Sequence, residues 1–310
     1  MGFLDSLNAL RYQAFMTQKK SQLSRLPRPD LWSIGALLIA LVVVAPVLAV
    51  IWLAFHPTEN IWPHLMATVL PRYLANTLIL AAGVGALSVA MGTGAAWLVV
   101  MYRFPLARFL DQALLFPLAI PAYIGAYALV DFLDYSGPLQ GAMRLAMGWT
   151  SAKDYAFPEV HSLGFATIVL SAAFYPYVYL LARAAFREQS GGTYEVARAL
   201  GERPWGLFCR VGLPLARPAI AAGLALVLME TLADFGTVQH FAVQTLTTGV
   251  FSTWLNGDNA GGAAQLAGVI LVLILGLTFL ERSSRRNARF HKPSRAVRPV
   301  VALPLTGARA

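Results

Sequence analysis

The sequence is poor in charged residues: Asp, Glu, Lys and Arg make up 13% of its 310 residues, whereas 57% are hydrophobic. Soluble globular domains carry about 25% charged residues, so this composition excludes an ordinary soluble protein. The single cysteine, Cys209, excludes an intramolecular disulfide. No Gly-Lys dipeptide occurs, which excludes the phosphate-binding pattern G-x-x-x-x-G-K-S/T and with it a P-loop ATPase in this chain.

The apolar residues are gathered into blocks long enough to cross a bilayer, which needs roughly 20 mostly apolar residues in a helix. The first block is too long for the apolar region of a secretory signal peptide, so we do not expect it to be cleaved. Prolines in the third and fourth blocks predict kinks. Six spans are predicted, at residues 31–55, 76–102, 109–132, 163–182, 218–235 and 263–280.

The basic residues predict the orientation, because cytoplasmic flanks of membrane spans retain Lys and Arg. With both tails inside, all but three of the 24 basic residues are cytoplasmic, the exceptions being Arg72, Arg144 and Lys153. The chain is thus divided into a cytoplasmic segment 1–30, a membrane domain 31–281 and a basic cytoplasmic tail or linker 282–310. The net charge of +9 is then a consequence of topology and does not indicate nucleic-acid binding.

The cytoplasmic loop 187–217 between the fourth and fifth spans predicts two short helices. Thr193 is a candidate N-cap for the first, in which Tyr194, Ala197 and Leu200 share one face, and Gly201 suits its end. Pro204 suits the first turn of the second helix, whose apolar face is formed by Trp205, Phe208 and Cys209. Pro214 and Pro218 are expected to end that second helix and to lead into the fifth span.

This loop resembles the cytoplasmic signature of permeases in bacterial ATP-binding-cassette (ABC) importers, E-A-A, three residues, G, nine residues, I-x-L-P. Two positions depart from it by small apolar exchanges, Val196 for Ala and Val211 for Ile. The matching residues are Glu195, Val196, Ala197, Gly201, Val211, Leu213 and Pro214. The resemblance implies an all-α integral membrane protein with the six-helix fold of type I importer permeases.

In that family the signature forms a coupling helix that docks on the ATPase subunit. Gly201 would allow close backbone approach at the turn, and Glu195 would offer a charge-assisted hydrogen bond to the partner. The resemblance also implies the partners: ABC ATPase subunits that hold the ATP, a second permease half and a periplasmic solute-binding protein. The chain itself is expected to bind no cofactor and to lie in a bacterial inner membrane. An interfacial amphipathic hairpin without a partner is the alternative.

Spans three to six resemble ferric-iron importer permeases, which commonly fuse two six-span halves in one polypeptide; this chain resembles the first half. The resembling runs are residues 116–123, 174–179, 230–240, 247–251 and 253–255, with Asp131 and Arg183. Importers of a polyamine, thiamine, a phosphonate or an oxyanion are alternatives. A secondary transporter, which would require ion-coupling residues and internal repeats, is a further one.

Ionisable and phenolic groups within the spans are candidate pathway residues. Glu230 and Asp234 are four residues apart, as are Tyr175 and Tyr179, so each pair falls on one helical face. Their oxygens suit a hard trivalent cation. Interhelical hydrogen bonds, a place at the outer mouth or an aromatic belt would explain the same residues structurally. The five histidines are scattered over separate loops, and no metal site or catalytic grouping is assigned.

Overall fold

The computed structural model describes residues 31–286 and 303–304, so the predicted tails lie almost wholly outside the described residues. The regular secondary structure of the described chain is helical apart from a two-residue parallel pairing of β1 with β2. The helices are α1 Leu31–Phe55, α2 Trp62–Thr68, α3 Leu70–Met101, α4 Ala107–Ala113, α5 Ala122–Leu133, α6 Pro138–Met147, α7 Leu163–Glu188, α8 Gly191–Ala199, α9 Pro204–Ala233, α10 Gly236–His240, α11 Leu246–Phe251 and α12 Ala260–Arg286; the strands are β1 Tyr102–Arg103 and β2 Leu303–Pro304. Turns of 3₁₀ helix occupy Phe116–Ala119 and Ala152–Asp154, and π-helical turns occupy Leu207–Gly212 and Ser252–Asn256.

Five helices in the described range are long and apolar enough to cross a membrane, namely α1, α3, α7, α9 and α12. A sixth span is completed if the segments 107–119 and 122–147, which meet at 90°, count as one broken span. The predicted all-helical membrane fold is therefore confirmed. Within the described residues, the chain up to Trp52 forms one compact unit and the chain from Leu53 onward forms another, so α1 belongs mostly to the first.

The third span is broken more sharply than the kink that its prolines predict. Ile120 has an extended backbone, with φ −113° and ψ 119°, and Pro121 follows with ψ 136°. A residue before proline is pushed out of the helical region by the proline ring, so the chain turns between the 3₁₀ turn and α5.

Helices α3, α7 and α9 pack through glycines at the centre of the second unit. A Cβ at Gly92 of α3 would lie 2.8 Å from the backbone oxygen of Tyr175, and one at Gly223 of α9 would lie 2.7 Å from Cα of Val178. The backbones of α3 and α9 therefore approach α7 directly, and Val84, Val178 and Val227 are fully buried between them. This core supports α7 both at its end, from which the coupling loop departs, and at its middle, where Phe174 and Tyr177 border the second candidate site.

The expectation that Pro214 and Pro218 end a separate helix is wrong. Helix α9 runs without interruption from Pro204 to Ala233, so the fifth span begins well before residue 218. The π-helical turn Leu207–Gly212 ends two residues before Pro214, and its wider hydrogen-bonding pattern lets the chain pass a residue that lacks an N–H. Helix α12 likewise continues to Arg286, past the predicted boundary at 281.

Candidate functional site

The turn after α8 is a complete helix C-cap of the Schellman type. The N–H of Gly201 donates to the carbonyl of Arg198 at 2.9 Å, and the N–H of Glu202 donates to the carbonyl of Ala197 at 3.0 Å. Gly201 has φ +88°, in the left-handed region that residues with a Cβ rarely adopt. Space around it is open, so the glycine is required by backbone conformation and not by a neighbour within the chain.

Tyr194 anchors α8 to the helices on either side. Its hydroxyl donates to Oε1 of Gln189, and Nε2 of Gln189 donates to the carbonyl of Gly212 at 3.2 Å. Burial raises the pKa of the Tyr194 phenol well above its usual range, so the hydroxyl stays a neutral donor. A Cβ at Gly212 would overlap the ring of Trp97, so the glycine is needed for this packing.

Trp97 of α3 is the centre of an aromatic cluster under α8. Its ring meets Phe186 at 5.3 Å between centroids, Tyr194 at 5.9 Å and Phe208 at 5.1 Å, in tilted or edge-on arrangements. These rings come from α3, α7, α8 and the π-helical turn of α9. Through these rings α8 contacts three of the membrane helices.

The outward face of the loop combines large apolar side chains with the charged Glu202, Arg203 and Arg210. Leu200 is 81% exposed and Trp205 is 74% exposed, and both border an open depression of about 780 Å³ together with Gly201. Val196 and Glu195 are also exposed on α8. Large exposed apolar side chains beside a rigid turn are typical of a protein docking surface.

The other signature residues divide between support and surface. Ala197, Val211 and Leu213 are partly buried and pack against the main core, so they hold the loop in place and do not form its docking surface.

Two expectations for this loop are wrong. Leu200 does not share the buried side of Tyr194, and Thr193 is not the N-cap, because the helix begins at Gly191 after Ser190 and the Thr193 N–H donates to the Ser190 carbonyl.

The second candidate site is a cavity of about 300 Å³ at the other end of α9. Glu230 and Asp234 both line it, with Tyr123 and Tyr177. No Lys or Arg is found among the described residues that line the cavity, so its ionisable lining groups are acidic or phenolic. The remaining lining residues are Pro117, Leu118, Ile120, Pro121, Ala122, Ala173, Phe174 and Ala233.

Asp234 reaches this cavity in a way that the sequence does not predict. Helix α9 ends at Ala233, and Asp234 is extended, with φ −66° and ψ 130°. Its carboxylate accepts a hydrogen bond from the N–H of Val238 at 3.1 Å, while its carbonyl accepts one from the Thr247 hydroxyl at 2.7 Å. The carboxylate is thus fixed at the cavity edge by α10 and α11, although it does not share a helical turn with Glu230.

Tyr175 and Tyr179 lie outside this lining. Tyr175 donates from its hydroxyl to the carbonyl of Leu114 at 2.9 Å, and Tyr179 donates to Oδ1 of Asp111 at 2.7 Å. Both side chains are buried. The two tyrosines therefore connect α7 to the third span by hydrogen bonds. Tyr177, which lies between them in the sequence, is the α7 tyrosine that borders the cavity.

Asp111 of α4 is the centre of a cluster of ion pairs that was not predicted, next to the end of α7 that leads to α8. Besides Tyr179, its carboxylate accepts hydrogen bonds from Arg183 and, at 3.0 Å, from Arg187. The Asp111 and Arg183 side chains are 16% and 19% exposed. The sequence signal was an acidic residue within the third apolar block, since a carboxylate there needs a cationic partner. Within residues 31–286, no three His, Cys, Asp or Glu side chains gather in a metal-binding arrangement.

Comparison with known proteins identifies the family. The profile described as "Binding-protein-dependent transport system inner membrane component" matches residues 88–289, which include both candidate sites. The chain belongs to this family. It is a family of multi-pass inner-membrane transport permeases and not of enzymes.

Curated relatives of this permease have differing substrates in their names. It is 25% identical over 234 residues to the Fe(3+)-transport system permease protein FbpB 2 of Haemophilus influenzae, covering 75% of this chain and 42% of the relative. It is 28% identical over 189 residues to the sulfate transport system permease protein CysT of Escherichia coli, covering 59% and 65%. It is 29% identical over 237 residues to the molybdenum transport system permease protein ModB of Mycobacterium tuberculosis, covering 72% and 84%. The permease thus spans less than two thirds of the length of the first two relatives.

Solved structures share the fold of this permease. A chain of a bacterial alginate ABC transporter, in complex with an alginate pentasaccharide-bound periplasmic protein, matches with a TM-score of 0.66 and 19% identity over 83% of this chain and 96% of that one. A chain of the inward-facing MetNI methionine ABC transporter matches with a TM-score of 0.54 and 19% identity over 72% and 98%. The fold is that of ABC transporter permeases.

Proposed function

We propose that this permease forms half of the translocation pathway of an ABC importer for ferric iron. Separate ATPase subunits bind and hydrolyse ATP, a second permease half completes the pathway, and a periplasmic solute-binding protein delivers the substrate. Both tails are cytoplasmic, in accordance with the distribution of Lys and Arg.

The observation that carries the proposal is the rigid presentation of α8. The helix is anchored on its inner side by Tyr194 and Trp97, while Leu200 and Trp205 project outward beside the turn at Gly201. Covering such a side chain gains roughly 1.5–3 kcal/mol, enough for the two to dominate a small interface. An ATPase groove that covers them would move α8 together with the membrane helices, because the inner face of α8 is held by the contacts of Tyr194 and Trp97.

Contacts through the third span connect the α8 end of α7 with the cavity. Arg183 and Arg187, in the last turns of α7, hold Asp111 of α4. Helix α4 leads directly into the broken segment at Pro117 and Pro121, which lines the cavity. Closure of the ATPase pair would therefore act on the cavity wall through α7 and α4, as alternating access requires.

The charge of the cavity supports a cationic substrate. Glu230 and Asp234 border it without a lining Lys or Arg, so a cation is attracted and an oxyanion is repelled. Ferric iron prefers oxygen ligands, which carboxylates and the Tyr177 phenol supply. Two carboxylates make weak, water-shared contacts, and such contacts suit conduction because the ion must leave as well as enter.

An oxyanion importer is the second candidate, and the sulfate and molybdenum permeases among the relatives favour it. The test is ATP-dependent uptake into proteoliposomes that contain the complete transporter, with radiolabelled ferric iron, sulfate and molybdate offered separately. We expect uptake of ferric iron alone. Uptake of sulfate or molybdate, with no uptake of iron, would overturn the ferric-iron assignment but not the assignment as a permease.

A further inference from the structure

Helix α6 is amphipathic with its polar side turned inward. Its two polar residues, Gln140 and Arg144, are four positions apart and therefore share one face. Gln140 is buried: its Nε2 donates to the carbonyl of Leu133 at 2.7 Å, and its Oε1 accepts from the Tyr155 hydroxyl at 2.6 Å. Arg144 donates to the same hydroxyl at 3.0 Å and lies 4.1 Å above the ring of Tyr135. The polar face is thus consumed by contacts within the chain.

The opposite face of α6 is apolar and uncovered in the described chain. Leu145 is 87% exposed, and Pro138, Ala142 and Ala146, which share its side of the helix, are exposed as well. A helix of a soluble surface has the reverse arrangement, with its polar stripe toward water. The arrangement in α6 therefore points to a non-aqueous neighbour on the outward side.

Aromatic side chains around α6 indicate what that neighbour is. Trp149, just past the helix, stacks on Tyr155 at 4.8 Å between centroids, and Tyr135 is exposed at the other end. Trp and Tyr concentrate at the headgroup level of bilayers, where a ring can be half apolar and half wet. Phe132, near the end of α5, is a further exposed aromatic side chain close in sequence to α6.

We propose that α6 lies in the plane of the bilayer interface, at the end of the molecule opposite α8, with Ala142 and Leu145 facing the lipid acyl chains. Its position in the chain agrees, since α6 lies between α5 and the start of α7, whereas α8 follows the end of α7. The turn at Gly148, with φ +70°, ends the helix and returns the chain to the aqueous side.

The test uses the full chain with Cys209 replaced by Ser, reconstituted in vesicles of phosphatidylethanolamine and phosphatidylglycerol. A nitroxide spin label is attached at Ala142→Cys or Leu145→Cys, and its collisions with oxygen, which partitions into lipid, and with a water-soluble nickel chelate are measured. Lys153→Cys, on an exposed residue of the following loop, is the matched control.

We expect the ratio of oxygen to nickel collisions to be severalfold higher at 142 and 145 than at 153. An equal ratio at all three sites would place α6 in water and overturn the proposal. Low collision with both reagents at 142 and 145 would show a protein partner covering the face, and this result would overturn the proposal too. Since both substituted side chains are exposed, neither variant disturbs packing within the chain.

Discussion

The hydroxyl of Tyr179 on α7 donates to the carboxylate of Asp111 on α4 at 2.7 Å, in a site that is mostly withdrawn from solvent. The same carboxylate is bound by Arg183 and Arg187, so three donors from one helix converge on one acceptor from another. This arrangement ties the start of the broken third span to the end of α7 from which the coupling loop departs.

Removing the charge of Asp111 is expected to destabilise the permease. Asp111→Asn leaves the Arg183 guanidinium with a neutral partner, and breaking a buried ion pair from one side costs about 3–5 kcal/mol, or less at this partial exposure. We expect a lower midpoint of thermal unfolding in detergent and reduced uptake. Asp131→Asn, at an exposed carboxylate on α5, is the control. Equal unfolding midpoints for the two variants would show that the Asp111 cluster does not hold the third span.

Substitution of Gly201 is expected to impair coupling through the backbone. A Cβ there meets open space, but the left-handed conformation costs roughly 1–2 kcal/mol for most residues. Gly201→Leu should therefore lose ATPase association and uptake together. Gly201→Asn should retain much of both, because Asn tolerates this conformation. If Leu and Asn behave alike, the conformation of the turn is not what the partner requires.

Much of this coupling loop could be predicted from sequence, because its signals are local. The spacing from Glu195 to Gly201 predicts a helix and its stop, and α8 ends with Gly201 in the left-handed conformation. The exposed position of Leu200 and the passage of α9 through Pro214 were not predictable in this way. The exposure of Leu200 depends on which face of α8 the aromatic cluster leaves uncovered, and the continuous α9 depends on a π-helical turn. No repeating pattern of residues in the sequence indicates either feature.

The membrane spans were predicted from apolar length alone, whereas the break in the third span and the cavity were not. The partners of Asp111 are 68–76 positions away, so only the packed helices bring them together. Glu230 and Asp234 were expected to share one face of a helix. They instead meet in one cavity because α9 ends at Ala233 and Asp234 is extended, and the α7 tyrosine that borders this cavity is Tyr177.

Neutralising the cavity carboxylates is expected to slow ferric uptake. Glu230→Gln removes one charge, and Asp234→Asn removes the other while keeping an oxygen that can accept from the Val238 N–H. Insertion and ATPase association should be unchanged, so uptake by the complete transporter is the measurement. Asp258→Asn, at an exposed loop carboxylate that does not line the cavity, should transport normally. Unaltered uptake in both cavity variants would make these residues structural.

The orientation predicts that Cys209 is cytoplasmic. An impermeant thiol reagent should leave it unlabelled in intact cells and label it after permeabilisation, and a Cys introduced into the tail at 287–310 should behave in the same way. A Cys in place of Lys153 should react in intact cells. Labelling of Cys209 before permeabilisation would show that the loop lies outside the cell and would contradict the predicted orientation.

Contact between α8 and an ATPase tests the central claim most directly. A photo-crosslinking benzoylphenylalanine in place of Leu200 projects from the exposed side of the turn, while the same group at Leu145 projects from α6 at the opposite end. Illumination in cells should join position 200 to a protein that mass spectrometry identifies as a P-loop ATPase, with no such product from position 145. A crosslink to the ATPase from position 145, or none from position 200 in a transporter that still takes up substrate, would contradict the account.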